Sequence, residues 1–151
     1  MFTSHMGEAL AAARAALAAG EAPVGAVIVS RADGRILARA ANAMRARRDP
    51  SAHAEILAIR AACAALGRER LEGCDLWVTL EPCAMCAGAI AWARIDRLYY
   101  GAEDPKSGGV AHGARVFSHP QCHHRPEVYG GVDAEACAEP LIAFFAARRG
   151  R

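Results

Sequence analysis

The chain lacks a long apolar segment, a strong net charge and a secretory leader. No apolar run approaches the ~20 residues that a membrane-spanning helix requires, so we expect no membrane partner. A formal net charge of +2 is too small to indicate nucleic-acid binding through bulk electrostatics, so any such contact must come from local clusters. Because no leader with a charged start and an apolar core precedes the six cysteines, we expect reduced thiols and a cytoplasmic location.

Nothing in the sequence divides the chain into separate units. It has no internal repeat, linker or low-complexity segment, so we expect a single domain over residues 1–151. With a hydrophobic content of 54%, a chain of this length can bury roughly two-thirds of the surface that its unfolded form exposes. Folding therefore needs no disulfide bonds.

Helix and strand signals alternate along the chain. Gly20 follows an alanine-rich helical segment, and Asp33-Gly34 suits a tight hairpin turn between two strands. Asp49-Pro50 offers a cap and a first-turn proline to the second helix, and the strand, helix and strand around Pro82 imply a parallel crossover pair. Segment 103–131 is rich in Gly, Pro and His and is interpreted as a loop at the rim of the candidate site. The predicted helices cover residues 7–19, 49–66, 81–94 and 133–149, with a kink or a new start at Pro140, and the predicted strands cover residues 24–29, 35–40, 76–80 and 98–100.

Two short motifs offer ligands for a metal ion. His53 and the pair Cys83 and Cys86 supply three ligands, which leaves a tetrahedral zinc ion one open position for water, as in catalytic sites. The two cysteines are three residues apart at a predicted helix start, where they share one face and where the helix dipole favours thiolates. The pattern H-x-E followed by P-C-x-x-C is similar to the signature of zinc-dependent nucleobase deaminases.

Glu55 distinguishes a catalytic zinc site from a closed structural one. It is two residues from His53 and would diverge from it on a regular helix, so we expect both at a helix start. There its carboxylate would accept a proton from a zinc-activated water molecule and relay protons to the ring nitrogen and leaving amine of a nucleobase. The alternative is a closed site in which Cys74 or Cys122 is the fourth ligand and Glu55 is a solvated carboxylate, an arrangement that could do no chemistry.

Over nearly its whole length the chain resembles bacterial tRNA-specific adenosine deaminases of the TadA type, in the cytidine/deoxycytidylate deaminase superfamily. The resemblance implies an α/β fold, a three-layer α/β/α cytidine-deaminase-like sandwich with a mixed five-stranded sheet. It also implies a homodimer, one Zn²⁺ per chain, and conversion of adenosine to inosine at wobble position 34 of a tRNA anticodon stem-loop. The resemblance rests on residues 23–27, 42, 49–56, 78–89, 95, 101–102, 104, 144–145 and 148–149.

The resemblance further implies contacts to the substrate. Asn42 would hydrogen-bond the flipped purine through its carboxamide, and Asp104 would accept a hydrogen bond from a ribose 2′-hydroxyl. Basic side chains would contact phosphates, and an aromatic side chain would support a splayed base. Each residue also has an ordinary interpretation as a turn, core or helix-end residue. The remaining implied substrate-binding residues are Ala54, Pro82, Lys106, Phe144 or Phe145, Arg148 and Arg149.

Two other functions are compatible with the same motifs. One is a free-base deaminase acting on guanine or cytosine with the same zinc ion and the same Glu55. The other is a non-catalytic, zinc-stabilised RNA-binding module. An open rim with basic residues favours RNA, whereas a lid over a small pocket favours a free base. A second metal site is not expected in the histidine-rich loop, because its residues show no firm ligand spacing: His112, His119, Cys122, His123 and His124.

Overall fold

Five strands form one mixed sheet in the computed structural model, which describes residues 2–149. The strands are β1 (Gly25–Ser30), β2 (Ile36–Ala41), β3 (Cys74–Leu80), β4 (Arg97–Ala102) and β5 (Glu127–Tyr129). Their order across the sheet is β2-β1-β3-β4-β5. β1 is antiparallel to β2 and β3, whereas β4 is parallel to β3 and β5. The predicted mixed five-stranded sheet is confirmed.

Helices cover both faces of the sheet. They are α1 (Met6–Ala18), α2 (Met44–Arg47), α3 (Ala54–Leu66), α4 (Ala84–Ala93) and α5 (Ala134–Arg149). Because successive strand side chains point to opposite faces, Ala26 and Ile28 of β1 join the core beneath α3 and α4, whereas Val27 and Val29 join the core beneath α1. These two cores make the three-layer α/β/α sandwich that the resemblance implied.

Helix α1 lies very close to the first residue of β1. A Cβ atom on Gly25 would stand 2.6 Å from the backbone nitrogen of Ala13 and still closer to the carbonyl oxygen of Ala9. Any side chain at this position would push the helix off the sheet, so the close approach requires glycine.

Strand β5 lies inside the segment that was predicted to be loop, and that prediction is wrong for Glu127–Tyr129. All three residues are exposed, so the strand carries no alternation of buried and exposed positions that a sequence pattern could reveal. It is held instead by parallel pairing with β4, in which Tyr129 lies opposite Tyr99 and stacks on its ring. Part of the expected rim is therefore the far edge of the sheet.

Two helices begin later than predicted. Asp49 does not cap the second helix: its carboxylate accepts hydrogen bonds from the backbone N–H and hydroxyl of Ser51 and closes a turn. Helix α3 then starts at Ala54, and α4 starts at Ala84 rather than at residue 81. These shifts leave His53 and Cys83 immediately before the two helices.

The last helix is continuous through Pro140, so no second helix starts there. Within residues 2–149, none of the helices has the length and hydropathy that crossing a bilayer would take.

Candidate active site

Three potential ligand atoms meet beneath the two helix starts. The Nδ1 atom of His53 lies 3.4 Å from the sulfur of Cys86 and 3.6 Å from the sulfur of Cys83, and all three atoms lie within 4.8 Å of one another. A tetrahedral zinc ion with ordinary bond lengths separates its nitrogen and sulfur ligands by about 3.5 to 3.8 Å. The side chains therefore fit zinc with little movement.

The ligands are placed by the way α3 and α4 begin. His53 is the N-cap of α3 and Cys83 is the N-cap of α4, both with extended backbone, and Cys86 follows in the first turn of α4. Strand β3 delivers Cys83 and Cys86 to this point, since it ends at Leu80. Two helix N-termini thus direct partial positive charge at the same small volume, which favours thiolates and negatively charged intermediates.

Glu55 lies beside the cluster without belonging to it. It is the second residue of α3, only 4% exposed, and its carboxyl interacts with the Cys86 thiol. Burial raises the pKa of Glu55 to about 7. Such a carboxyl both accepts and returns a proton readily near neutral pH.

The two sulfurs are not equivalent. The hydrogen bond from Cys86 is the main cause that lowers the pKa of Cys83 to about 4, and the same bond, with burial, raises the pKa of Cys86. The hydrogen bond to Cys83 also raises the pKa of His53. One imidazole and two sulfurs that bind as thiolates are a donor set suited to a borderline-soft cation such as zinc.

A closed four-ligand site has no support in the part of the chain that the structure describes. Only His53, Cys83 and Cys86 form a cluster of potential metal ligands there. The thiols of Cys74 and Cys122 contact backbone carbonyl groups elsewhere, those of Glu72 and His124. Among residues 2–149 the histidine-rich loop contributes no residue to this cluster.

Comparison with known proteins identifies the family. Residues 3–102, which include the three ligands and Glu55, match the cytidine and deoxycytidylate deaminase zinc-binding region. The tRNA-specific adenosine deaminase of Agrobacterium fabrum is 56% identical over 97% of this chain and 95% of its own. The chain belongs to the tRNA-specific adenosine deaminases. It is therefore a zinc-dependent hydrolytic deaminase, and each chain has a site for one Zn²⁺.

Solved structures agree with this assignment of the deaminase. A structure from a study of A-to-I editing by tRNA:A34 deaminases is 57% identical, with a TM-score of 0.87, and the match covers 90% of this chain and 97% of that one. The guanine deaminase of Nitrosomonas europaea shares the fold at 27% identity, with a TM-score of 0.77 and coverage of 97% and 87%. The deaminase is therefore much more similar to the tRNA enzymes than to this free-base enzyme.

Asn42 binds the start of α3. Its side chain is buried, and its carboxamide oxygen accepts a hydrogen bond of 2.8 Å from the backbone N–H of Ala54. Asn42 thus binds the first residue of α3, a contact that the sequence interpretation did not foresee. Ala54 has no exposed surface and Pro82 is also buried; they are the neighbours in the chain of the ligands His53 and Cys83.

Four predicted substrate residues line one open groove. This rim groove, of about 650 Å³, runs from the ends of β3 and β4 to one face of α5. Asp104 also has the ordinary turn role, because its carboxylate accepts a hydrogen bond from the Ser107 N–H at 3.0 Å. The predicted substrate residues that line the rim groove are Asp104, Lys106, Phe145 and Arg148.

Phe144 and Arg149 are the two other residues of the last helix that were predicted to contact the substrate. The Arg148 guanidinium carbon lies 4.3 Å from the centroid of the Phe144 ring, so Phe144 supports a cation, whereas Phe145 is 51% exposed in the rim groove. The side chain of Arg149 lies outside the described residues.

Sequence interpretation missed Glu81, which was assigned only to the start of α4. It is 2% exposed and accepts hydrogen bonds from the segment that carries Asp104. A glutamate immediately after a buried strand is the only local signal, and it does not reveal which distant segment the carboxylate holds.

Proposed function

We propose that this deaminase converts adenosine to inosine at position 34 of a tRNA anticodon stem-loop. The observation that most directly supports this substrate is the rim groove, which combines Lys106, Arg148 and the exposed ring of Phe145. Cations bind phosphates and an aromatic face stacks on a splayed base, whereas a free base needs neither. The name of the 57% identical structure gives the same substrate.

In the proposed reaction Glu55 moves the protons. His53, Cys83 and Cys86 would hold the zinc ion, which would lower the pKa of a water molecule to about 7. Glu55 would accept a proton from the attacking water as the oxygen bonds to C6 of adenine, and would deliver that proton to N1. Glu55 would then take the proton of the new C6 hydroxyl group and pass it to the exocyclic amine, so that the C6–N bond breaks, C6 becomes a carbonyl and ammonia leaves.

The remaining residues hold the nucleotide in place. The NH₂ group of Asn42 would donate a hydrogen bond to the flipped purine, and Ala54 and Pro82 would line the purine site beside the ligands. At the rim, the carboxylate of Asp104 would accept a hydrogen bond from the ribose 2′-hydroxyl, by which RNA is distinguished from DNA. Lys106 and Arg148 would contact phosphates, and Phe145 would support a neighbouring base.

Incubation with separate substrates tests the function. The zinc-loaded protein is mixed with an anticodon stem-loop carrying adenosine 34, with the same stem-loop carrying cytidine 34, and with free guanine or cytosine. We expect inosine at position 34 of the first substrate alone, read by mass spectrometry of the digested loop. Activity on a free base without activity on the stem-loop would establish the alternative free-base deaminase, and binding without turnover would establish an RNA-binding module.

The proposal includes a homodimer and, because its substrate is tRNA, a cytoplasmic location. Trp92 of α4 is 72% exposed beside a cavity of about 700 Å³ formed with residues of the histidine-rich loop. A large exposed apolar side chain beside such a cavity is typical of a protein interface.

Sedimentation tests the dimer. We expect the wild-type protein at twice its chain mass of 15.9 kDa and Trp92→Glu at the chain mass, because the substitution buries a charge in the interface. Val128→Glu, at an exposed apolar residue of β5, is the matched control and should remain dimeric. A wild-type monomer at micromolar concentration would refute the dimer.

A further inference from the structure

The carboxylate of Glu81 binds a segment that lies more than twenty residues later in the chain. One oxygen accepts from the Asp104 N–H at 3.1 Å and is 2.7 Å from Nδ1 of His112. The other accepts from the backbone N–H groups of Val110, Ala111 and His112 at 3.2, 3.0 and 3.1 Å. Its side chain is fully buried, so no water competes for these contacts.

The segment packs against the turn that carries Cys83. We call residues 104–112 the anchored loop. Its Gly109 donates a hydrogen bond of 2.8 Å to the carbonyl oxygen of Pro82, and a Cβ atom on Gly109 would stand 2.5 Å from the backbone nitrogen of Ala84. A Cβ atom on Gly108 would overlap the Glu81 carboxylate. Two glycines therefore allow the loop to reach both the carboxylate and the start of α4.

The anchored loop carries residues of the rim groove. Asp104 lies at its first anchoring point, and Lys106 lies between the two anchoring points, with Asp104 also closing a turn to Ser107. The loop has no helix or strand of its own over these residues. Its conformation is therefore set by the buried acceptor and the glycine contacts.

We propose that Glu81 is a positioning residue for the RNA substrate. Its carboxylate fixes the anchored loop, and thereby holds Asp104 and Lys106 where they can meet the nucleotide that enters beside Cys83. Glu81 touches neither substrate nor metal in this role, which rests on the proposed function.

Glu81→Gln tests the positioning role. Glutamine keeps the shape but replaces one acceptor by a donor that faces backbone donors, so the loop loses part of its anchor. We expect KM for the adenosine-34 stem-loop to rise about tenfold, the equivalent of one lost hydrogen bond to a charged group, with kcat changed by less than about threefold. Zinc content should stay at one ion per chain.

A coupling measurement separates positioning from general stability. Lys106→Ala is made in the wild type and in Glu81→Gln, and the two increases in KM are compared. If Glu81 acts by placing Lys106, the second increase should be smaller by about threefold or more. Additive increases, or a lower melting temperature with unchanged KM, would overturn the positioning role.

Controls keep the test decisive. Glu69→Gln removes a charge from an exposed residue that precedes β3, at the opposite end of this strand from Glu81, and should leave KM unchanged. If Glu81→Gln does not fold, His112→Ala removes one contact and leaves the carboxylate in place; it should raise KM by a smaller factor, and an unchanged KM would refute the proposal. Loss of zinc from a folded Glu81→Gln would also refute it. A wild-type protein inactive on the stem-loop would instead refute the proposed function.

Discussion

Replacing Glu55 by glutamine lowers turnover of the adenosine-34 stem-loop by about 10²- to 10⁴-fold or more, the range for loss of a general acid-base group. The amide has the size of the carboxyl but cannot take a proton from water or return one to the leaving amine. Glu55 is buried and lies outside the ligand cluster, so the substitution should leave zinc content at one ion per chain. Single-turnover kinetics and metal analysis of the same preparation measure both quantities.

The control for Glu55 is Glu72→Gln, an exposed glutamate between α3 and β3. It should turn over at the wild-type rate. Glu55→Gln with wild-type turnover would show that Glu55 carries no proton, and Glu55→Gln without zinc would show that the carboxylate belongs to the metal site.

Replacing Cys86 by serine removes the zinc ion and, with it, the activity. Cys86 has no exposed surface, its sulfur lies 3.4 Å from Nδ1 of His53, and among residues 2–149 the ligand cluster has no fourth member to replace it. Since serine is a poor zinc ligand, we expect zinc affinity to fall by more than about 100-fold. Turnover should become undetectable, and the melting temperature should no longer respond to added zinc. Metal analysis after dialysis against a weak chelator measures the loss.

Cys63→Ser is the matched control, because Cys63 lies on α3 away from the cluster and should retain zinc. Zinc affinity of the wild type should fall as the pH falls, since His53, Cys83 and Cys86 bind zinc only when deprotonated. Activity that persists in metal-free wild-type protein would contradict a zinc-dependent reaction.

The ligands and their spare carboxylate could be predicted because they belong to short, local patterns. Cys83 and Cys86 share a helix face through their spacing alone, and His53 and Glu55 can converge only at a helix start. The position of that start could not be predicted. Asp49 and Pro50 carry the usual signals of a helix N-terminus, yet Asp49 closes a turn with Ser51 and the helix begins at Ala54. Competition between two local hydrogen-bonding patterns decided the boundary.

Contacts between distant segments were harder to foresee. Strand β5 has three exposed residues and exists because β4 offers it a partner. Asn42 accepts a hydrogen bond from the first residue of α3, twelve positions later in the chain. Glu81 binds Asp104 and His112, which are more than twenty positions later. None of these pairings leaves a periodic pattern along the chain.

The order of amino acids was enough to indicate the class of chemistry, the metal and most helices and strands, whereas the layers of the fold were implied by the resemblance to a known family. Ligand type, ligand spacing and hydrophobic periodicity are properties of neighbouring residues, so they can be interpreted before the chain is folded. Folding alone established how open the rim groove is, which residues surround it and what anchors its loop. Those features depend on backbone groups brought together from far apart, and a buried carboxylate such as Glu81 takes whichever donors the fold presents to it.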